Sequence, residues 1–233
     1  MTYVISDIHG RGDRFRNILE QIRFSEEDTL YILGDVIDRN PDGIEILLEV
    51  MATPNMHMIL GNHEYMMLNV VRVPRIRRWG KWADDRAIWY YNGGRVTHRA
   101  FENLAPAEQR RVIEYLEGLP LNREVEVGGE RYLLIHGSPE STYAPGEPEY
   151  PDATAWAVWK RFDPFAENEF TDRTVIYGHT PTYFFTNMIP MEILRVGNSI
   201  CIDCGCAFPD GCLACLCLET GAVLYSSDAP ERA

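Results

Sequence analysis

The chain has 233 residues, 45% hydrophobic and 24% charged, with a formal net charge of −13. It can bury one substantial core, and its charge disfavours nonspecific binding to nucleic-acid backbone or to an anionic membrane. No apolar run approaches the ~20 residues of a membrane span, and the opening Met1-Thr2-Tyr3-Val4-Ile5-Ser6-Asp7 has no basic leader, so the expected home is the cytoplasm.

Taken in order, five apolar runs end in polar or glycine-containing clusters. Tyr3-Val4-Ile5 leads into Asp7-Ile8-His9-Gly10, and Leu30-Tyr31-Ile32-Leu33 into Gly34-Asp35-Val36-Ile37-Asp38-Arg39. Met58-Ile59-Leu60 leads into Gly61-Asn62-His63-Glu64, Tyr132 to Ile135 into His136-Gly137, and Val175-Ile176-Tyr177 into Gly178-His179-Thr180. Helical spacing over Arg14 to Ile22 and Gly43 to Met51 separates the first three strands, which predicts right-handed crossovers and a largely parallel sheet there. From about residue 65 to 122 the alternation lapses. Tyr65 to Trp82 and Pro106 to Leu116 look helical, so this stretch is expected to form a helical cap insertion within a single domain. Tyr143 to Asp152 is a predicted loop, and short pieces between Ile193 and Tyr225 suggest antiparallel hairpins.

Six polar residues fall at predicted strand ends: Asp7, His9, Asp35, Asn62, His136 and His179. Carboxylates, an amide and imidazoles form a mixed oxygen and nitrogen set that suits Mn²⁺, Fe²⁺ or Zn²⁺. One ion could use Asp7, His9 and Asp35, and a second Asp35, Asn62, His136 and His179. Two dications ~3.5–4 Å apart need a shared anion, and Asp35 supplies it.

Asp7-x-His9-Gly10, Gly34-Asp35-x-x-Asp38-Arg39, Gly61-Asn62-His63-Glu64, His136-Gly137 and Gly178-His179-Thr180 together resemble the five blocks of the calcineurin-like metallophosphoesterases. Within them the chain is similar to the serine/threonine phosphatases of the small bacterial and phage-lambda branch. The resemblance implies an α/β fold, an αββα sandwich of two mixed sheets flanked by helices, with a dinuclear centre of two divalent ions at the strand ends, Mn²⁺ being the first expectation. It implies the ligand assignment above and a hydroxide bridging the ions as nucleophile. Asn40 departs from the pattern, which has glycine after the Asp-Arg pair; Asn tolerates left-handed backbone, so little harm is expected.

A phosphomonoester also needs its oxygens neutralised and its leaving oxygen protonated. Arg39 can clamp phosphate oxygens with its planar fork, an ion pair with Asp38 being the alternative duty. His63 resembles the family's general acid, and Asp38 the residue that orients it. Trp159-Lys160-Arg161 matches a tryptophan-x-arginine element of this branch, which makes Arg161 a second clamp or else a solvated helix charge. Arg39, Arg161 and Asn62 are thus the substrate-facing set. Trp89-Tyr90-Tyr91-Asn92-Gly93-Gly94 also looks like a family element near the site, without an assignable role.

His57 and His98 match no block and read as structural or solvated. Arg72, Arg75, Arg77, Arg78 and Lys81, with Trp79 and Trp82, form either a solvated helix face or an electropositive rim that steers a phosphorylated substrate. All six cysteines lie between Cys201 and Cys217. This is unlike the disulfide framework of a secreted domain, and the segments read as paired strands that point thiols to opposite faces, so packing rather than metal binding is expected. The leading function is hydrolysis of phosphoserine or phosphothreonine in proteins. Symmetrical dinucleoside tetraphosphate hydrolysis is the second reading, and a non-catalytic scaffold the third. A phosphoprotein or phosphorylated small molecule is the expected partner.

Overall fold

Alternating apolar residues build a layered molecule, seen in a computed structural model that describes residues 1–72, 81–147, 149–166 and 169–227. Strands β1 (Thr2–Ile5), β2 (Thr29–Ile32) and β3 (Met56–Met58) run parallel, joined by helices α1 (Gly12–Ile22) and α2 (Gly43–Ala52). After β3 the described residues form helices α3 (Asn62–Val71), α4 (Lys81–Tyr91), α5 (Arg95–Glu102) and α6 (Pro106–Glu117). Of the expected helix Tyr65 to Trp82, the part up to Val71 lies in α3 and Lys81 and Trp82 open α4; residues 73–80 lie outside the described set.

Hairpin β4 (Asn122–Val127) and β5 (Glu130–Ile135) opens the second sheet. The turn needs left-handed backbone at both central residues, which Gly128 (φ +62°) and Gly129 (φ +86°) provide. Helix α7 (Ala153–Trp159), strand β6 (Thr174–Tyr177), the short helix α8 (Tyr183–Thr186) and strands β7 (Leu194–Val196) and β8 (Ser199–Cys201) follow. Strands β9 (Ala214–Cys217) and β10 (Val223–Tyr225) return to the first sheet, giving the orders β10-β9-β1-β2-β3 and β4-β5-β6-β8-β7.

The two sheets share an inner core. Val4, Leu33, Ile59, Leu134, Ile176, Ile200 and Leu216 meet there, while strand neighbours such as Ile5 and Ile32 turn outward onto the helices with Phe15, Ile18 and Leu47. On the far side Leu133, Ile135, Val175 and Tyr177 pack with Phe162. Strands covered on both faces must be apolar at every position, which is why these runs read as continuous rather than alternating. The result is an αββα sandwich of two mixed sheets flanked by helices.

The cysteine segment differs from its sequence reading. Two hairpins do form, but β8 pairs parallel with β6 and β9 pairs antiparallel with β1, so they belong to different sheets. Cys204, Cys206 and Cys212 lie in the connection that crosses between the sheets, not in paired strands. All six thiols are free and buried, and they are distributed over separate clusters: Cys206 and Cys215 in the helix-side core, Cys201 beside Tyr177, and Cys204 and Cys212 with Met191.

Candidate metal centre and active site

The loops that leave β1 and β2 run side by side. Asp7 N–H donates to the Gly34 carbonyl at 3.2 Å, His9 N–H to Asp35 at 2.9 Å, and Gly10 N–H to Val36 at 2.8 Å. To aim side chains past the strand ends, Asp7, His9, Asp35, Asp38, Arg39 and His179 all take left-handed backbone, φ between 49° and 74°. Each costs on the order of 1–3 kcal/mol, comparable with what one buried large apolar side chain contributes, about 1.5–3 kcal/mol. Strain concentrated at these six positions marks them as a site held by the core around it.

The loop after β3 closes against the same backbone. A Cβ on Gly61 would lie 2.3 Å from Asp35 Oδ1 and 2.5 Å from Asp35 N, and one on Gly34 would lie 2.6 Å from Gly61 Cα. Glu64, at the start of α3, is fully buried and accepts the N–H groups of Asp35 and Val36 at 2.9 Å and of Ile37 at 3.3 Å. Gly61→Ala should therefore destabilise the fold by about 1–3 kcal/mol through overpacking and weaken metal binding with it, read by denaturant titration and metal analysis; unchanged stability would mean that the loop pair yields freely.

The six expected ligands converge. Asp35 Oδ2 lies 3.8 Å from His9 Nε2, and Asp35 Oδ1 lies 3.5 Å from His136 Nε2, so its two oxygens serve opposite sides of the site. Asn62 Oδ1 is 3.0 Å from His136 Nε2 and 2.9 Å from His179 Nδ1. Asp7 Oδ1 is 3.9 Å from His9 Nε2, while its Oδ2 takes the His179 N–H at 3.0 Å and the Ser6 hydroxyl. Each imidazole is fixed by its other nitrogen: His9 Nδ1 donates to Ile37 O at 3.2 Å, His136 Nδ1 to Leu33 O at 2.6 Å, and His179 Nε2 to Trp159 O at 3.2 Å. Among the described residues the metal-type groups within 4.8 Å are His9–Asp35–His63 and Asp35–His136–His179, with Asp35 common to both. His63 enters the first, although its Nδ1 is already held at 2.7 Å by Asp38 Oδ2.

Burial lowers the pKa of all four imidazoles, most strongly for His9, His63 and His179, which favours the neutral ring that a metal ligand needs. The carboxyl of Asp35 is pushed the other way, by burial first and then by the charges of Asp7 and Glu64. Neutral nitrogen donors around crowded carboxylates are a donor set that dications fit and relieve.

Asp38 and Arg39 gain their support from the element whose role the sequence left open. Trp89 Nε1 donates to Asp38 Oδ2 at 2.7 Å, Asp38 N–H donates to Thr97 Oγ1 at 2.9 Å, and Arg39 N–H donates to Gly93 O at 3.2 Å. Gly94 is packed on the indole, since a Cβ there would lie 2.2 Å from Trp89 Nε1. Burial pushes the Asp38 carboxyl up to about 7. His63 Nε2 faces the site, 3.3 Å from an Arg39 guanidinium nitrogen and 3.8 Å from Asp35 Oδ2. The Asp38 carboxylate is hydrogen-bonded by His63 and Trp89 rather than by Arg39. Asn40 corrects its expectation: the left-handed residues are Asp38 and Arg39, and the Asn40 amide instead donates to His9 O at 2.9 Å.

Arg161 is exposed at the far edge, its guanidinium 5.8 Å above the Phe184 ring and within electrostatic reach of His179. Sequence reasoning missed Ser6, Glu64 and Thr97 as supports, and it missed Asp203, a buried carboxyl raised by burial and by Asp7 that accepts the Gly205 N–H at 2.9 Å. His98 is structural, taken by Tyr90 OH at 2.7 Å and packed on Trp89; His57 lies beside Tyr31. Of the basic run, Arg75, Arg77, Arg78 and Trp79 lie outside the described residues, as do the side chains of Lys81 and Trp82. No helix of the described residues is long and apolar enough to cross a membrane.

An αββα sandwich with two histidine–carboxylate groups sharing one aspartate at its strand ends defines a metal-dependent phosphoesterase. A calcineurin-like phosphoesterase family model matches residues 2–225, and the chain belongs to that family, whose members use a dinuclear divalent metal centre. It is 27% identical over 208 residues to serine/threonine-protein phosphatase 2 of Salmonella typhimurium, covering 87% of this chain and 86% of that one. It is 25% identical over 223 residues to a symmetrical bis(5'-nucleosyl)-tetraphosphatase of Erwinia tasmaniensis, covering 94% and 72%. The tetraphosphatase name recurs among other bacterial relatives. A metallophosphoesterase of Sphaerobacter thermophilus shares the fold, with a TM-score of 0.54, 18% identity and coverage of 97% and 87%.

Proposed function

We propose that this phosphoesterase hydrolyses phosphoserine and phosphothreonine monoesters in polypeptides. The observation that carries the reading is the Trp89–Asp38–His63 chain, which brings a buried imidazole nitrogen to 3.3 Å from the Arg39 guanidinium. A serine or threonine alkoxide is a strongly basic leaving group that needs a proton delivered to it. The nucleotide phosphate released from a tetraphosphate is weakly basic and does not.

In this reading Asp7, His9 and Asp35 hold one divalent ion, and Asp35, Asn62, His136 and His179 hold the second. Mn²⁺ is the first choice for such donors, ahead of Fe²⁺ and Zn²⁺. When bound, the pair supplies an activated water and neutralises charge on the phosphoryl group. Arg39 and Arg161 hold phosphate oxygens, with Asn62 facing the same space, and His63 delivers a proton from Nε2. Asp38 accepts the Nδ1–H of His63, which fixes the ring and supports its charged form. Six buried free thiols suit a reducing compartment, and we assign the protein to the cytoplasm.

Purified protein with Mn²⁺, given phosphoserine and phosphothreonine peptides beside diadenosine tetraphosphate, tests the reading. Higher kcat/KM on the peptides is expected. Efficient cleavage of the tetraphosphate with negligible peptide turnover would overturn it in favour of a dinucleoside tetraphosphatase.

A further inference from the structure

Beyond the strand-end site, the described residues carry a run of solvent-facing apolar side chains after His179. Tyr183, Phe184, Met188 and Ile189 are 37%, 60%, 66% and 55% exposed, and Phe165, 65% exposed, joins them through an edge contact with Phe185 at 6.3 Å between ring centroids. Single exposed apolar residues are ordinary, but a contiguous set is a binding surface unless something covers it. The segment is firmly built. Thr182 N–H donates to Asp203 O at 2.9 Å, Phe184 N–H to Pro181 O at 2.9 Å, and Asn187 N–H to Tyr183 O at 2.8 Å. Its inner end adjoins the active site, because the Arg161 guanidinium rests 5.8 Å over the Phe184 ring.

We propose that this shelf, Tyr183 to Ile189 with Phe165, takes an apolar side chain of the phosphorylated polypeptide, two or three residues from the phosphorylated one. The inference rests on the protein-phosphatase reading and on Arg161 as a phosphate clamp. Continuity carries it first. A phosphate held at Arg161 leaves the next residues of an extended chain, ~3.3–3.6 Å each, to run across Phe184 toward Met188 and Ile189. Chemistry carries it second. Of the five exposed side chains only Tyr183 has a polar atom, so the shelf suits an aliphatic or aromatic side chain better than a nucleotide base with donors and acceptors to match. Charge carries it third. A chain of net charge −13 tolerates a ligand with one phosphate better than a tetraphosphate.

The test compares phosphoserine peptides that differ only in carrying Leu or Ser at the second or third flanking position, with nitrophenyl phosphate as reference. The Leu peptide should be preferred by about ten-fold in kcat/KM, the worth of partly burying one such side chain. Met188→Ser with Ile189→Ser should remove that preference, measured against nitrophenyl phosphate turnover of the same variant, while Ile189→Leu keeps it. Equal kcat/KM for all flanks overturns the shelf and leaves the phosphatase reading standing. Nitrophenyl phosphate turnover with no peptide turnover overturns both. A variant that raises KM for diadenosine tetraphosphate but not for the Leu peptide, or that converts a dimer to a monomer with selectivity unchanged, assigns the shelf to another occupant and also overturns it.

Discussion

Asp35→Asn should strip more than one equivalent of metal and lower turnover by about 10²-fold or more, since charge stabilisation by bound metal is worth several kcal/mol. The two oxygens of Asp35 face different histidines, Oδ2 at 3.8 Å from His9 and Oδ1 at 3.5 Å from His136, so no other carboxylate of the site can replace it. Asparagine keeps the shape and can still accept the His63 N–H, which now reaches Asp35 Oδ1 at 3.0 Å. The variant therefore isolates charge from packing. Stability gives an opposite and independent sign. Burial, Asp7 and Glu64 raise the Asp35 pKa in the folded chain, so above its unfolded value the carboxyl costs the metal-free fold, whether it stays ionised or takes up a proton. Metal-free Asp35→Asn should melt at or above metal-free parent, while the rise in Tm on adding Mn²⁺ shrinks. Two tightly held ions with near-normal turnover would sink the bridging role; a metal-free variant that melts well below its parent would make the residue a structural one.

Most of that site could be read locally because its logic is local. A strand that ends in glycine and a ligand needs only its own few residues to announce both, as at Gly34-Asp35 and Gly178-His179. Its supports could not be read in this way. Glu64 binds backbone 27 to 29 residues earlier, and Trp89 donates to a carboxylate 51 residues away. Nothing in a local pattern distinguishes such a tryptophan from a core residue. Asp203 did carry a signal, since it follows the apolar Ile200-Cys201-Ile202 just as Asp35 follows its strand, but the surrounding cysteines drew the reading to thiols. The two-sheet partition was beyond local pattern for a different reason. The β7–β8 and β9–β10 hairpins look alike in sequence, and only pairing of β9 with β1 across almost the whole chain, Tyr3 opposite Cys217, sends them to different sheets. Helix α5 falls on the polar run around His98, which has helical character in the sequence; its inward face is carried by Thr97, His98 and Phe101.

His63→Asn should slow phosphoserine peptide hydrolysis by about 10²–10⁴-fold, the usual range for general acid catalysis, and nitrophenyl phosphate hydrolysis far less. The difference follows from the leaving group. A serine alkoxide must be protonated as the bond breaks, whereas a nitrophenolate leaves unaided. The geometry suits proton delivery: His63 Nδ1 is held by Asp38 at 2.7 Å, leaving Nε2 toward Arg39 and the space where a phosphate would lie. Burial first, and then the Arg39 charge, lower the His63 pKa; an anion lying against Arg39 would offset the second of these and favour the protonated ring. Asp38→Asn should show a weaker form of the same selectivity, because it removes the charge that supports the imidazolium while an amide oxygen can still accept from Nδ1 and from Trp89. Metal content measured in both variants separates the alternatives, since His63 also lies within ligand reach of His9 and Asp35. Equal losses on both substrates with metal retained would mean that His63 acts through phosphate binding. Equal losses with metal gone would make it a ligand, and the proton would then have to come from elsewhere in the site.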